Sequence, residues 1–244
     1  MKNQINTKIK NYFITATDTD AGKTFVACAL IKALINSDKN VAAYKPVAAG
    51  CQQVDHLLIN EDAELLSQFA NCGQSISEVN PIALAEAIAP HVAAASINRE
   101  LSLEEVALGF NNVLSLKADI NLTEGAGGWR LPLNLKGSKP IFLSDFAINT
   151  EQEVILVVNM KLGCLNHALL TYQAIIADGL HCIAWIANSA TEQEMSNLAE
   201  NIASLEKLLP MPKIAQLNYY ADPRMSVQSK ICAAAKAIDC TELI

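Results

Sequence analysis

Residues 12–24 read YFITATDTDAGKT and run directly into the apolar stretch FVACALIKALI. The pattern predicts a strand, a turn of short polar side chains and the start of a helix. Free backbone N–H groups at a helix N-terminus bind anions, Lys23 can reach the outer oxygens of a phosphate, and the Thr24 hydroxyl can hold Mg²⁺. We therefore interpret this stretch as a nucleotide phosphate-binding loop.

The spacing of this loop departs from the common pattern in one respect. That pattern has a glycine, four further residues and then Gly-Lys-Ser/Thr, but Thr17 stands at the first glycine position, with Ala16 before it. The alternative is an ordinary strand-to-helix turn with a surface lysine. An apolar strand leading in and an apolar helix leading out favour the phosphate-binding loop.

Composition restricts the classes of function. The chain has 244 residues, of which 51% are apolar, and a net charge of −7. These values suit one α/β domain over residues 1–244. The only grouping of basic residues is Lys2, Lys8 and Lys10, so we expect no nucleic-acid partner.

The sequence shows no membrane-spanning segment, no signal peptide and no cysteine pattern typical of disulfides or metal sites. No apolar run approaches the ~20 residues that span a bilayer, and no apolar signal core follows the first lysines. We expect a cytoplasmic protein without a membrane partner. Seven scattered cysteines with no C-x-x-C pair indicate reduced, buried thiols.

Apolar runs alternate with amphipathic segments along the whole chain. We predict strands at 12–16, 41–44, 119–123, 140–143, 154–159, 182–187 and 213–217, and helices at 23–36, 61–71, 102–116, 165–178, 193–208 and at the C-terminus. Strands that are apolar on both faces indicate a doubly wound, mostly parallel sheet with helices on both faces. Residues 45–60 and 125–139 are predicted to be functional loops.

Ligands bind at the carboxyl ends of the strands in such sheets. Lys45 directly follows the second strand, where it is either a solvated strand end or a group that stabilises negative charge. Glu124 ends another strand and precedes the glycine-rich segment GAGG, which suits a Mg²⁺ ligand. A second carboxylate is expected from Glu61, Asp62 or Glu64, unless these acids only complement a helix dipole.

Two further strand ends carry polar groups. Lys161, Gly163 and Asn166 stand at a predicted helix start that can bind an anion such as a carboxylate. His167, inside that helix, is interpreted as a core or interface residue. Asn188 either contacts a purine edge or caps the next helix.

Several separated motifs resemble those of dethiobiotin synthetases. They are TDTDAGKT, YKPVAAG, NEDAELL, NPIALAEAIAPH, TEGAGGW, VVNMKLGCLNHALLT and WIANS, in this order, and together they span residues 12–189. YKPV, EGAGGW and KLGC-x-NHA discriminate this family from other phosphate-loop enzymes.

The resemblance implies a homodimeric, doubly wound α/β enzyme of biotin biosynthesis. It implies ATP as co-substrate, Mg²⁺ as cofactor, and CO₂ or bicarbonate and diaminopelargonic acid as substrates. In the implied route the diamine takes up CO₂ to form a carbamate, ATP phosphorylates the carbamate, and the second amine closes the ureido ring with loss of phosphate.

The resemblance also assigns site residues. Lys45 and Lys23 match the catalytic lysines, and Thr24, Asp62 and Glu124 match the Mg²⁺ ligands. The implied ATP-binding residues are Asp20, Ala21, Gly22, Lys23, Thr24, Phe25, Asp62, Glu124, Gly125, Ala126, Gly127, Asn188 and Ser189. The implied substrate-binding residues are Thr19, Lys45, Ala49, Gly127, Lys161, Leu162, Gly163 and Asn166, with the 161–166 segment supplied across the dimer interface.

Some positions depart from the family pattern. Ala16 stands where a glycine is usual and Ala49 where a substrate-contacting serine is usual. Leu217-Asn218-Tyr219-Tyr220 replaces an Ile-Pro-Trp-Leu type sequence, and Arg130 after Trp129 is atypical.

Two other classes of protein share parts of this pattern. ATP-dependent switches of the partitioning type have an extra lysine at the start of the loop, whereas this chain reads Thr15-Ala16-Thr17. An amidotransferase-like cobyrinate synthase needs a separate glutaminase partner or an added glutaminase domain, and we expect 244 residues to be too few to hold such a domain.

Overall fold

The computed structural model describes residues 9–136 and 138–244. Lys2, Lys8 and the first residues of the predicted 1–244 domain lie outside this part of the chain. No helix in the described ranges is both long enough and apolar enough to span a bilayer.

Strands and helices alternate along the chain. The strands are β1 (Lys10–Ala16), β2 (Val41–Tyr44), β3 (Val47–Ala48), β4 (Gln52–Val54), β5 (Leu57–Ile59), β6 (Ile82–Ala83), β7 (Ile120–Glu124), β8 (Pro132–Asn134), β9 (Ile141–Phe142), β10 (Glu153–Asn159), β11 (Cys182–Asn188) and β12 (Lys213–Leu217). The helices are α1 (Lys23–Asn36), α2 (Glu61–Phe69), α3 (Ile76–Val79), α4 (Pro90–Ser96), α5 (Leu103–Ser115), α6 (Leu143–Asn149), α7 (Cys164–Ala177), α8 (Leu198–Leu208) and α9 (Val227–Ala235), followed by a 3₁₀ turn at Thr241–Leu243.

Six strands form a parallel sheet in the order β12-β11-β10-β1-β7-β2. The chain proceeds to opposite sides of β1, which makes the sheet doubly wound. Tyr12 and Ile14 belong to one buried core, whereas Phe13 belongs to the other. Alternate side chains of a strand point to opposite faces, so both faces of the sheet are covered. The predicted fold class is confirmed.

Helix α1 and strands β2 and β12 have the predicted limits. The helix predicted at 193–208 begins only at Leu198, because Asn197 before it adopts φ 53°. The strand predicted at 140–143 is shorter and leads into α6, which the sequence analysis missed. Regions 45–60 and 125–139 also contain short strands that were predicted as loops, namely β3, β4, β5 and β8.

Strand β2 lies at the edge of the sheet, and side-chain amides pair its outer backbone groups. Gln74 accepts a hydrogen bond from Ala43 N at 2.9 Å and donates one to Ala43 O at 2.8 Å. Asn71 Oδ1 accepts from Val41 N at 2.7 Å. These bonds satisfy backbone groups that would otherwise be free to pair with another strand.

Candidate active site

The turn between β1 and α1 directs the start of α1 toward the carboxyl edge of the sheet. Gly22 caps the helix with φ 71°, and its carbonyl accepts the bond from Val26 N. A Cβ atom at Gly22 would lie only 2.5 Å from Asn188 Nδ2. The first N–H groups of a helix have no partner within it, so this end of α1 can bind an anion.

Lys23, the first residue of α1, is buried and donates a hydrogen bond to Gly127 O at 2.8 Å. Burial lowers the pKa of Lys23 below its ordinary value, and the nearby Lys45 acts in the same direction against the opposing effect of Glu124. The bond connects the phosphate-binding loop to the glycine-rich segment after β7.

Lys45 is buried at the end of β2, between two carboxylates. Its Nζ lies 2.6 Å from Glu124 Oε1 and 3.0 Å from Asp62 Oδ2. Burial alone would lower the pKa of Lys45, but Glu124 and Asp62 raise the pKa above its ordinary value. Lys45 is therefore a fixed cation, and the solvated strand end considered from the sequence is wrong.

Asp62 and Glu124 approach each other from different elements. Asp62 lies in the first turn of α2, and Glu124 is the last residue of β7. Burial raises the pKa of Asp62, but the charge and hydrogen bond of Lys45 outweigh this effect and hold the pKa below its usual value. Glu124 Oε1 also accepts a hydrogen bond from Thr24 Oγ1 at 2.7 Å.

The chemistry of these oxygens fits Mg²⁺. Thr24, Asp62 and Glu124 supply one hydroxyl and two carboxylates, and Mg²⁺ prefers such ligands together with waters and substrate phosphates. Glu124 Oε2 is buried and has no hydrogen-bond donor within the described residues. Residues 9–136 and 138–244 contain no group of three or more His, Cys, Asp or Glu side chains that could hold a metal ion by itself.

A cavity of about 830 Å³ opens over these groups. It brings together most of the residues predicted for the site: Thr19, Asp20, Gly22, Lys23, Thr24, Phe25, Lys45, Ala49, Asp62, Glu124, Gly125, Ala126 and Gly127. The other predicted residues are outside its lining in the described chain: Ala21, Lys161, Leu162, Gly163, Asn166, Asn188 and Ser189.

The 161–166 segment forms the turn between β10 and α7. Lys161 Nζ lies 2.9 Å from Asp18 Oδ2, which attaches the turn to the phosphate-binding loop. Leu162 is 93% exposed. Asn166 and His167 are also exposed, so a core position for His167 is wrong.

Asn188 ends β11 and is buried against the phosphate-binding loop. Its Nδ2 donates a hydrogen bond to Ala21 O at 2.8 Å, and the next residue, Ser189, donates from its N–H to Leu217 O. The next helix starts at Leu198 with Asn197 as its cap. The helix cap considered for Asn188 is therefore wrong, and its contact with a purine stays a prediction.

Sequence comparisons find close relatives over most of the chain. The chain is 46% identical over 217 residues to the ATP-dependent dethiobiotin synthetase BioD of Alteromonas mediterranea, covering 86% of this chain and 93% of that protein. It is 43% identical over 235 residues to the protein of the same name from Cellvibrio japonicus, covering 96% and 98%. A family described as AAA domain matches residues 10–223.

The chain belongs to the ATP-dependent dethiobiotin synthetase BioD family. The resemblance inferred from its motifs is thereby confirmed.

Two solved structures share the fold of this dethiobiotin synthetase family member. A ParA family ATPase from Chlorobium tepidum TLS matches with a TM-score of 0.55 at 14% identity, covering 94% of this chain and 92% of that one. The MinC:MinD cell division protein complex of Aquifex aeolicus matches with a TM-score of 0.52 at 12% identity, covering 93% and 94%. At such identities the likeness shows the fold alone.

The structure adds residues that the sequence analysis did not assign to the dethiobiotin synthetase site. Residues 87–90 form one wall of the cavity; they belong to the quoted motif NPIALAEAIAPH, but no role was given to them. Asn60 caps α2 by accepting from Asp62 N at 3.1 Å, and it donates to Ala49 O at 3.3 Å. An Asn directly before an acidic helix start is a recognisable cap signal.

The aromatic ring of Phe25 connects the loop to a second unassigned region. Its centroid lies 5.9 Å from that of Tyr220. Phe25, Leu65, Ala190 and Val227 line the same cavity. Apolar side chains of this kind commonly line sites for flat ligands such as a nucleotide base. The sequence analysis had noted Tyr220 only as a departure from the family pattern.

Proposed function

We propose that this chain is an ATP-dependent dethiobiotin synthetase of biotin biosynthesis. It joins diaminopelargonic acid and CO₂ into dethiobiotin, with conversion of ATP to ADP and phosphate, in the cytoplasm and as a single ATP-binding domain over residues 1–244. The observation that carries this proposal is the position of Lys45, which is held as a cation between Asp62 and Glu124 beside the phosphate-binding loop.

The start of α1 and Lys23 bind the phosphates of ATP in this proposal. Backbone N–H groups from Asp20 to Phe25 surround the phosphate oxygens, and Lys23 neutralises charge on the outer phosphates. The existing bond from Lys23 to Gly127 O keeps the lysine directed toward the glycine-rich segment, where the diamine binds.

Three bond-forming steps follow from the substrates. One amine attacks CO₂ and loses a proton, which gives a carbamate anion. A carbamate oxygen then attacks the terminal phosphorus of ATP, and ADP leaves. The second amine attacks the activated carbonyl carbon and loses a proton, phosphate leaves, and the ureido ring closes. Negative charge develops on the carbamate and on the transferred phosphoryl group in the first two steps.

Lys45 stabilises that charge. Its raised pKa keeps it protonated, which makes it an electrostatic group and not a general base. Asp62 and Glu124 occupy only part of its donor capacity, because an ammonium group has three N–H bonds. A remaining N–H can point to the carbamate.

Thr24, Asp62 and Glu124 would hold Mg²⁺. When bound, Mg²⁺ supplies charge neutralisation at the phosphate oxygens during phosphoryl transfer. Glu124 Oε1 accepts hydrogen bonds from Lys45 and Thr24, whereas Oε2 accepts none from the described residues and would be available to a cation. Asp62 likewise contacts Lys45 through Oδ2.

A second copy of the chain completes the substrate site in our proposal. Lys161, Leu162, Gly163 and Asn166 do not line the cavity of their own chain within the described ranges. Leu162 is 93% exposed beside a polar turn, so a protein surface that covers it would gain apolar contact. We propose that a homodimer brings this turn to the cavity of the partner, where Asn166 binds the substrate carboxylate.

Phosphate release and product formation test the proposed function together. The purified protein should release phosphate from ATP only when diaminopelargonic acid and bicarbonate are both present, and mass spectrometry should find dethiobiotin. Lys45→Ala serves as the control for a contaminating ATPase. ATP hydrolysis that is independent of the diamine would instead favour an ATP-dependent switch.

A further inference from the structure

We infer that Asn80 is a positioning residue for Lys45. The inference rests on the proposed function, because it concerns the lysine that stabilises charge in that reaction. Asn80 lies outside the cavity lining in the described chain, so its effect on the reaction must pass through another residue.

Asn80 holds the main chain of Lys45 directly. The Asn80 side chain is buried, at 5% exposure, and its Nδ2 donates a hydrogen bond to Lys45 O at 2.7 Å. In the preceding peptide unit, the Lys45 N–H donates a hydrogen bond to Val79 O at 2.8 Å. Val79 and Asn80 together thus form hydrogen bonds with both backbone polar groups of Lys45.

The covalent structure explains why Lys45 needs such a partner. The pairing of β2 with β7 ends at Tyr44 opposite Thr123. Pro46, the residue after Lys45, has no N–H and cannot extend a ladder. Lys45 is 4% exposed, and a buried carbonyl requires a donor. Asn80 supplies that donor.

The same amide also connects Lys45 to the chain segment that leads to residues 87–90 of the cavity wall. Asn80 Nδ2 lies 3.3 Å from Ile82 O, at the start of the segment that continues to the wall at 87–90. Ile82 N donates to Pro46 O at 3.3 Å, and Leu84 N donates to Ala48 O at 2.9 Å. Loss of the amide therefore leaves the buried Lys45 carbonyl without its donor at the point where these two segments meet.

A change of the Lys45 backbone is transmitted to its ammonium group. Nζ must stay within 2.6 Å of Glu124 and 3.0 Å of Asp62 while it faces the substrate. A misplacement of about 1 Å in a catalytic group can lower the rate by roughly 100-fold. Substitution of Asn80 should therefore act on turnover, whereas the phosphate-binding loop on β1 and α1 is left intact.

Gln74 provides a matched control. Gln74 is also a buried amide, and it bonds the N and O atoms of Ala43 on β2, two positions before Lys45 in the sequence. Gln74→Ala removes comparable hydrogen bonds from the edge of the sheet without touching Lys45. A purely structural role for Asn80 predicts the same behaviour for both variants.

A double-mutant cycle tests the inference. Diamine- and bicarbonate-dependent kcat and the Kd for ATP are measured for wild type, Asn80→Ala, Gln74→Ala, Lys45→Ala and Asn80→Ala/Lys45→Ala, at a temperature where circular dichroism shows each to be folded. We expect Asn80→Ala to lose roughly 10- to 100-fold in kcat with the Kd for ATP within about twofold. We expect no further loss in the Lys45→Ala background, because residues that act as a unit are not additive. Gln74→Ala should keep kcat within about twofold of wild type.

Three results would overturn the inference: near wild-type kcat for Asn80→Ala, an equal loss in Gln74→Ala, or the same further loss in the Lys45→Ala background. If Asn80→Ala does not fold, Asn80→Ser replaces it under the same criteria. Absence of diamine-dependent turnover in the wild type would instead contradict the proposed function, and this is measured first.

Discussion

Lys45 Nζ and Glu124 Oε1 lie 2.6 Å apart although the two residues are 79 positions apart in the sequence. They meet because β2 and β7 are parallel neighbours, with Tyr44 paired to Thr123. Lys45 and Glu124 therefore follow their paired residues at the same edge of the sheet. A buried pair of this kind keeps both side chains in one place, and removal of either partner leaves a costly unpaired charge.

Lys45→Ala should nearly abolish turnover and leave ATP binding largely intact. Lys45 stabilises negative charge on the carbamate, whereas the phosphates of ATP bind at the start of α1. We therefore expect kcat to fall by about two to three orders of magnitude. Steady-state kinetics and an ATP titration measure the two effects. Lys136→Ala is the control, since Lys136 forms an exposed ion pair with Glu100. Near wild-type activity of Lys45→Ala would refute the assignment.

Glu124→Gln and Asp62→Asn should each raise the Mg²⁺ concentration needed for half-maximal activity. Each substitution removes one anionic oxygen from a hard cation. Glu61→Gln is the matched control, because Glu61 shares the first turn of α2 with Asp62 but is exposed. A metal titration of all three variants decides the matter. If Asp62→Asn needed the same Mg²⁺ concentration for half-maximal activity as the wild type, Asp62 would only complement the helix dipole.

Gly22→Ala should abolish ATP binding. The new methyl group would lie 2.5 Å from Asn188 Nδ2, and alanine disfavours the φ of 71° at this position. Gly73→Ala separates these two effects, because Gly73 has φ 72° and no atom within 4 Å of a Cβ at this position. We expect Gly73→Ala to cost about 1–2 kcal/mol of stability and to keep ATP affinity. An ATP titration with thermal unfolding checks both variants.

Asp178→Ala should raise the KM for the diamine. Asp178 accepts hydrogen bonds from Trp129 Nε1 at 2.7 Å and from Arg130 Nη2 at 2.6 Å, so it anchors the glycine-rich segment that lines the cavity to the end of α7. The unpaired, buried Trp129 N–H should also cost about 1–3 kcal/mol of stability. Glu100→Ala, at an exposed ion pair, should change neither quantity. An unchanged KM would limit Asp178 to a structural role.

Local patterns account for the parts of the fold that were predicted from the sequence. Helix α1 and strands β2 and β12 are apolar runs with clear limits. The predicted parallel sheet placed Lys45 and Glu124 at one edge, and the family resemblance selected Asp62 among the acids that open α2. The short helices α4 and α6 and the hairpin of β4 and β5 were missed. The hairpin turn uses Asp55 and His56 at φ 45° and 71°, and neither residue is the glycine that usually signals such a turn.

Most features that the sequence analysis did not predict depend on contacts between distant segments of the chain. Asn80 and Gln74 are ordinary polar residues in the sequence, and their roles depend on which backbone groups the fold brings to them. The family resemblance, and no local pattern, implied that the 161–166 turn serves a partner chain; within the described residues this turn lies outside the cavity lining of its own chain.

Mixing two inactive variants tests the proposed dimer. If a partner completes the site, then Lys45→Ala chains and chains carrying Asn166→Ala should restore activity together, because each mixed dimer forms one intact site and one doubly damaged site. With equal amounts and random reassortment, about half of the dimers are mixed and half of their sites are intact, so roughly a quarter of wild-type activity should return.

The experiment requires that each variant alone is nearly inactive and that subunit exchange is verified, for example with chains of two different masses. Lys45→Ala mixed with Asn80→Ala provides a matched control, since both substitutions damage the same cavity in each chain. That mixture should gain nothing beyond the average of its components. Activity of the Lys45→Ala and Asn166→Ala mixture that stays at the average of the separate variants would mean that each chain builds its substrate site from its own residues.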